Sequence, residues 1–206
     1  LLVNGEKMSK SRGNFFTGDQ LLDDMGYAAD QIRYFLATLD LAEKQADFDT
    51  HALKQKTIFL GGKMNAAFER PLSACHKKFD GVVPDGKLHE KVVADTVRLV
   101  DKYLKAMERS ALPGLVNDLE NYARTINSLF TQHKPHDDRH PLEERKDALF
   151  TGFYVLKNLM IMLYPFVPAT MERVRASLHL PASVFSVDQL GVALPAPGSM
   201  QPPTNR

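Results

Sequence analysis

Two residue types that often organise small proteins are nearly missing from this 206-residue sequence, which has one cysteine, Cys75, and no tryptophan. A lone thiol excludes any disulfide within the chain, which fits a reducing compartment. The sequence also has no cationic, apolar leader of the kind that directs secretion. We therefore expect a cytoplasmic protein whose fold is held by an apolar core, because a chain of this length can bury one.

Strong net charge is missing as well, since 26 Lys and Arg residues oppose 25 Asp and Glu residues and leave a formal charge of +1. A uniformly basic surface is excluded, so any contact with nucleic acid must come from a local patch. The most apolar stretch, residues 148–164, is too short for a membrane span and contains Lys157 and Asn158. We expect it to be a buried core helix and expect no membrane partner.

The first 49 residues change character several times. Residues 1–16 combine a short apolar strand, an Asn4-Gly5 turn and a charged loop. Residues 17–26 are expected to form a short helix, and residues 28–40 an amphipathic helix with apolar residues at i, i+3, i+4 and i+7. Residues 41–49 are polar and predict a connection. Because the chain opens on an apolar, strand-like triplet rather than methionine, we expect it to be a piece of a longer protein.

From His51 onward the apolar periodicity is helical only. It predicts one long helix up to Phe79, kinked at Pro71, because proline removes a backbone hydrogen bond and clashes with the preceding turn. Further helices are predicted over residues 88–107, 115–129 and 168–179. A long helix is also predicted after the polar loop at residues 133–141, ending at Tyr164. Helices joined by short connections predict a mainly α fold, an antiparallel bundle. The remaining residues, 181–206, are expected to be a mostly mobile tail.

A charged segment near the start, Lys7-Met8-Ser9-Lys10-Ser11-Arg12, places three cations within six residues and serines between them. Lysine is a mobile point charge that can follow the negative charge building on a leaving pyrophosphate, and serine hydroxyls and loop amides add donors. A flexible loop that closes on ATP can use such groups to stabilise a transition state. By composition alone, a solvated basic turn is the better interpretation of the segment, because short motifs often occur by chance.

Residues 7–11 match the KMSKS motif letter for letter, and the segment resembles the ATP-handling loop of class I aminoacyl-tRNA synthetases. Its setting is similar too, because that family places the loop between the last strand of its nucleotide-binding domain and a helical stem-contact region. The resemblance implies that Lys10 contacts ATP, accompanied by Mg²⁺, with Lys7 as a weaker second contact. It implies supporting positions for Ser9 and Ser11.

Three further stretches, residues 30–36, 76–84 and 164–168, resemble the methionyl branch of that family. The resemblance implies the C-terminal portion of an enzyme that activates methionine with ATP and ligates it to the methionine tRNA. In that interpretation residues 1–49 are the end of an α/β catalytic domain, and residues 50–180 are a helical anticodon-binding domain. Leucyl and valyl enzymes share the loop but resemble the downstream sequence less well.

Two elements of the methionyl family are missing from this sequence. It has no His-Ile-Gly-His-type ATP element, and one cysteine cannot form the family's zinc-binding insertion. The methionine pocket must also lie upstream. We therefore expect the chain to be inactive alone and to hold no metal. A non-catalytic tRNA-binding module derived from the family is the alternative interpretation.

The anticodon contacts of the family are an Asn and an Arg one helical turn apart. Aligned through residues 79–81, the Arg falls at Arg70 and the Asn at Ala66, with Asn65 beside it. Lys63 lies two turns before Arg70 on nearly the same helical face. For Arg70 and Lys63, a solvated helix face is the alternative interpretation.

The family also uses a Trp that follows a Pro, and this sequence departs from that pattern. When the Pro is placed at Pro135, His136 takes the Trp position; histidine can stack on a base, but with less area. With His133 and His140 nearby, a metal site is a second interpretation of His136. Pro135 and Pro141 favour an irregular loop over a helix that would bring the imidazoles together.

Overall fold

The computed structural model describes residues 2–40 and 46–192 of the chain. Its N-terminal unit contains a small sheet and one α-helix: β1 (Leu2–Val3), β2 (Glu6–Lys7), α1 (Ala29–Ala37) and β3 (Asp47–Phe48). β1 lies in the middle of the sheet, antiparallel to β2 and parallel to β3. Asn4 and Gly5 join β1 to β2 with φ angles of 49° and 84°, the left-handed pair that a tight two-residue hairpin requires.

Two expectations for the N-terminal unit need refinement. The short helix expected over residues 17–26 is present over residues 18–24, and its larger part, Gln20–Asp24, is π-helical. Gly26 follows its end with a left-handed φ of 71°. The polar connection expected over residues 41–49 contains β3, while residues 41–45 lie outside the described part of the chain.

The larger unit is an antiparallel helical bundle, as the sequence predicted. α2 (Thr50–Phe59) leads into it, and its five helices are α3 (Asn65–Lys78), α4 (Glu90–Glu108), α5 (Leu112–His133), α6 (Leu142–Leu163) and α7 (Pro168–Ser177). α6 packs against α3, α4, α5 and α7. Every residue from 151 to 163 is buried, which confirms the core helix predicted there. Within the described residues, no helix is long and apolar enough to cross a membrane.

Between α2 and α3 the chain stays helical but leaves α-helical geometry. Leu60–Met64 forms a π-helical segment that contains Gly61 and Gly62. A pair of glycines with no side chains to pack is a weak point for regular helix, which explains why the distortion lies there. Pro71 is buried inside α3, which continues through it, and the kink expected at this proline stays a prediction.

The apolar residues form two clusters rather than one. The smaller cluster joins the sheet, α1 and α2 through Val3, Leu21, Phe35, Phe48 and Leu53. The larger cluster fills the bundle around α6. Leu53 therefore packs with the N-terminal unit, although α2 begins after the boundary that the sequence placed between residues 49 and 50; that boundary stays a prediction.

Polar contacts tie α1 and α2 to the helices of the larger cluster. The Asp30 carboxylate accepts from the Thr170 amide at 2.6 Å and its hydroxyl at 2.7 Å, and so caps the start of α7. The Tyr34 hydroxyl donates to Glu120 Oε1 at 2.9 Å, and Lys56 Nζ lies 2.7 Å from the same oxygen. These contacts tie α1 and α2 to α5 and α7, so the N-terminal unit has a fixed position on the bundle.

Residues 181–192, which the sequence assigned to a mobile tail, lie along α6. Two 3₁₀ turns, Ala182–Phe185 and Val187–Gln189, are followed by a buried polar contact in which the Gly191 amide donates to Asn158 Oδ1 at 2.7 Å. Lys157 Nζ donates to the Val192 carbonyl at 3.0 Å. The proline-rich end that begins at Pro195 lies outside the described residues.

Candidate nucleotide and nucleic-acid sites

The basic segment that follows β2 is a short loop closed on itself. Residues 10–12 form a 3₁₀ turn that ends at Gly13, whose φ of 70° is left-handed. Asn14 braces the loop from the inside, because its Oδ1 accepts from the Ser9 amide and its Nδ2 donates to the Lys7 carbonyl, both at 2.9 Å. The bracing role of Asn14 follows from these two hydrogen bonds.

The loop presents its cations to solvent. Lys7, Lys10 and Arg12 are all exposed, and none of them pairs with a carboxylate within the described ranges. The Ser9 and Ser11 hydroxyls lie 2.9 Å apart on the same turn. The loop therefore exposes three positive charges and two hydroxyls within one short segment, a composition that suits a polyphosphate.

Replacing Asn14 with Ala should loosen this loop without unfolding the chain. Loss of two hydrogen bonds at an exposed site costs about 1 kcal/mol, so protection of the Ser9 amide in hydrogen exchange should fall by roughly fivefold. Asn117→Ala, at an exposed position on α5, is the matched control. Unchanged exchange across residues 9–13 in Asn14→Ala would show that Asn14 does not brace the loop.

A second site lies on the bundle, between α3 and the end of α5. This cationic pocket has a volume of about 450 Å³ and is lined by Arg70, Ser73, Ala74, Lys77, Phe130, Thr131, Lys134 and His136. Arg70 and Lys77 are seven residues apart on one face of α3, about 10 Å along the helix. No acidic residue lines the pocket, and its floor is formed by Ala74 and the ring of Phe130, both buried.

The wall opposite α3 is an irregular loop that is held in place. Lys134 ends α5 in the left-handed conformation, with a φ of 37°. The buried Pro135 carbonyl accepts from Arg145 Nε at 3.2 Å, and Arg145 also pairs with Asp138 at 2.6 Å. Lys78 donates to Asp138 as well, and this hydrogen bond lowers the pKa of the Asp138 carboxyl. The acid next to the pocket is thus neutralised by its own partners.

Among the residues that the sequence proposed for base recognition, the structure brings Arg70 and His136 together in the cationic pocket. Lys63 is exposed within the π-helical segment, and Ala66 is half-buried on α3. Asn65 lines a smaller pocket, of about 220 Å³, between α1, α3 and α7. These three residues do not line the cationic pocket.

Sequence reasoning missed several residues of the cationic pocket, including Lys77, Lys134, Ser73 and Thr131. The spacing of Arg70 and Lys77 was a usable signal, since residues seven apart share a helical face. Lys134 had no such signal, because it comes from another helix.

The three histidines considered as metal ligands do not gather. The His133 ring packs edge-on against His89 with 4.7 Å between centroids, while His136 lines the cationic pocket. Over residues 2–40 and 46–192, no group of three His, Cys, Asp or Glu side chains is placed to hold a metal ion. The expectation that the chain holds no metal stays a prediction.

Comparison with known proteins identifies relatives of this chain. Residues 1–58 match the family model described as tRNA synthetases class I (M). Methionine–tRNA ligase of Bacillus cereus is 26% identical over 87% of this chain, and that of Methanothrix thermoacetophila is 29% identical over 83%. These comparisons support a class I aminoacyl-tRNA synthetase of the methionyl family. The chain spans 33% and 26% of the length of those two relatives.

Solved structures of the methionyl family share the fold of the chain. The structure of Mycobacterium tuberculosis methionyl-tRNA synthetase in complex with methionyl-adenylate matches with a TM-score of 0.79 and 22% identity. That match covers 99% of this chain and 42% of the synthetase chain. The likeness therefore extends through the sheet, the loop and the helical bundle.

Proposed function

We propose that the chain is the C-terminal portion of a methionyl-tRNA synthetase, which activates methionine with ATP and ligates it to the methionine tRNA. The observation that carries the proposal is the combination of two cationic sites on one chain: a loop that matches the class I signature and a pocket on the bundle that contains Arg70 and His136. The substrates of this reaction, tRNA and ATP, imply a cytoplasmic protein.

In this proposal the loop acts on ATP. Lys10 and Lys7, with the Ser9 and Ser11 hydroxyls, face the phosphates of an ATP that carries Mg²⁺ and stabilise the charge that develops as pyrophosphate leaves. Support comes from the exposure of the lysines and the absence of carboxylate partners for them in the described part of the chain. The methionine pocket belongs to the upstream catalytic half.

The cationic pocket acts on the tRNA anticodon. An unstacked base needs a flat partner, edge donors and a cation for the adjoining phosphate. His136 supplies the flat ring, Ser73 and Thr131 the hydroxyls, and Arg70, Lys77 and Lys134 the charge. Residues 50–180 are thus proposed as the anticodon-binding domain, and residues 1–49 as the end of the catalytic domain with the stem-contact region.

The chain alone is expected to give no methionine-dependent exchange of pyrophosphate into ATP, because the loop has no methionine pocket to work with. The measurement is the standard exchange assay with ATP, methionine and Mg²⁺, run beside Lys10→Ala. Exchange by the unmodified chain that disappears in Lys10→Ala would contradict this proposal, since it would place the whole adenylation site within these 206 residues.

A non-catalytic tRNA-binding module is the second candidate function, favoured by the absence of the family tryptophan. The sequence encoded upstream of Leu1 separates the two. A nucleotide-binding domain with a histidine-containing ATP element supports the synthetase, and a start codon near Leu1 supports the module. A leucyl or valyl synthetase remains the alternative within the class, and preference for leucine or valine tRNA over methionine tRNA would favour it.

A further inference from the structure

An extended strap, residues 82–89, connects α3 to α4 and lies across α6. Gly86 lies so close to α6 that a Cβ there would meet the Lys146 carbonyl oxygen at 2.9 Å. The Lys87 amide donates to Asp147 Oδ1 at 2.7 Å, and the His89 amide donates to Thr151 Oγ1 at 3.1 Å. The strap is therefore fixed to the central helix up to the residue where α4 begins.

The last residue of the strap also contacts the end of α5. The rings of His89 and His133 meet edge to face, with 4.7 Å between centroids and 79° between planes. Both histidines are half-buried. Because the strap is anchored on α6, this ring pair joins the C-terminus of α5 to the centre of the bundle.

The wall of the cationic pocket begins one residue after this contact. His133 is the final residue of α5, Lys134 turns the chain in the left-handed conformation, and both Lys134 and His136 line the pocket. The position of His133 therefore sets the start of this wall at Lys134, while the contacts of Arg145 with Pro135 and Asp138 hold its later part.

Protonation of His89 affects this contact. Burial, followed by the charge of His133, lowers the pKa of His89 below the usual value for histidine. Asp147 on α6 acts in the opposite direction and does not overcome these effects. The charged residues within two positions of His89 in the chain, Lys87, Glu90 and Lys91, are all exposed. As pH falls below about 6.5, His89 in the native contact resists a proton that it accepts once it is separated from His133 and reaches water.

We propose that His89 is a positioning residue for the cationic pocket: its contact with His133 holds the start of the wall that carries Lys134 and His136, and protonation of His89 releases it. The inference rests on the proposed function, because its readout is tRNA binding. The proposal predicts that anticodon binding weakens as the pH falls, and that the residue responsible does not line the pocket.

The test compares binding of methionine tRNA by the full chain and by His89→Phe from pH 7.5 to pH 5.5. Phenylalanine preserves an edge-to-face ring but cannot be protonated. The ratio of the dissociation constant of the unmodified chain to that of His89→Phe should be near one at pH 7.5 and rise to about fivefold at pH 5.5. Taking the ratio cancels any pH dependence that the two proteins share.

His133→Phe is the second variant and should flatten the profile in the same way, so a folding defect in one variant does not decide the result. His51→Phe, at an exposed position on α2, is the control and should follow the unmodified chain. A ratio that stays constant within twofold in both variants would overturn the role of His89. Failure of every protein to bind tRNA at pH 7.5 would instead overturn the proposed function.

Discussion

Arg70→Ala should weaken binding of methionine tRNA by roughly 10- to 100-fold. Arg70 lies on the exposed face of α3, lines the cationic pocket and has no carboxylate partner within the described residues. Its guanidinium is therefore available to a base edge or a phosphate. The measurement is a binding isotherm at fixed salt, repeated at two salt concentrations, since phosphate contacts make the affinity salt-dependent.

The matched control is Arg98→Ala, which removes an exposed arginine from α4 that pairs with Asp95 one turn away. It changes the net charge by the same amount but lies outside the pocket, so its effect should stay within about twofold. Equal losses in the two variants would mean that the bundle attracts RNA only by its overall charge. Equal binding of unrelated tRNAs by the unmodified chain would also argue against anticodon recognition.

Glu120→Ala should lower the free energy of unfolding by about 2–3 kcal/mol. The Glu120 side chain is 10% exposed and accepts from the fully buried Tyr34 hydroxyl and from Lys56. Burial, and then the neighbouring carboxylate, raise the pKa of Tyr34, so its hydroxyl remains a donor. Removing Glu120 leaves that donor buried without an acceptor, whereas Lys56 is 28% exposed and can reach water.

Urea unfolding measures this effect, with Glu108→Ala at the exposed end of α4 as the control. A double-mutant cycle with Tyr34→Phe isolates the contact. If Glu120 acts mainly through Tyr34, the double variant should be less destabilised than the sum of the single variants by about 1 kcal/mol. Strict additivity would show that the hydrogen bond between α1 and α5 does not contribute to stability.

Helical periodicity was sufficient to predict the bundle and its central helix. Buried residues on α5, such as Leu115, Leu119 and Ile126, repeat at three- and four-residue steps, and tertiary packing follows that pattern directly. The signature loop was identified from its letters alone. The structure places this loop directly after the β1–β2 hairpin, where the sequence put it, because a short apolar strand and an Asn-Gly turn are local signals.

The parts that could not be predicted depend on contacts between residues far apart in the sequence. The cationic pocket joins Arg70 to Lys134, and no local pattern indicates that the end of α5 faces α3. Tyr34 and Glu120 are separated by 86 positions, and neither has a distinctive neighbour. Residues 181–192 have the composition of a loop, but their backbone finds acceptors and donors on α6.

The π-helical segment at Leu60–Met64 affects how this chain should be aligned with its relatives. A π turn closes its hydrogen bond one residue later than an α turn, so it holds one residue more. A relative with regular helix at this point would be one residue shorter there, and the gap belongs inside the helix rather than in a neighbouring loop. An alignment that ignores it rotates every position on one side by about 100° and assigns α2 to the wrong helical face.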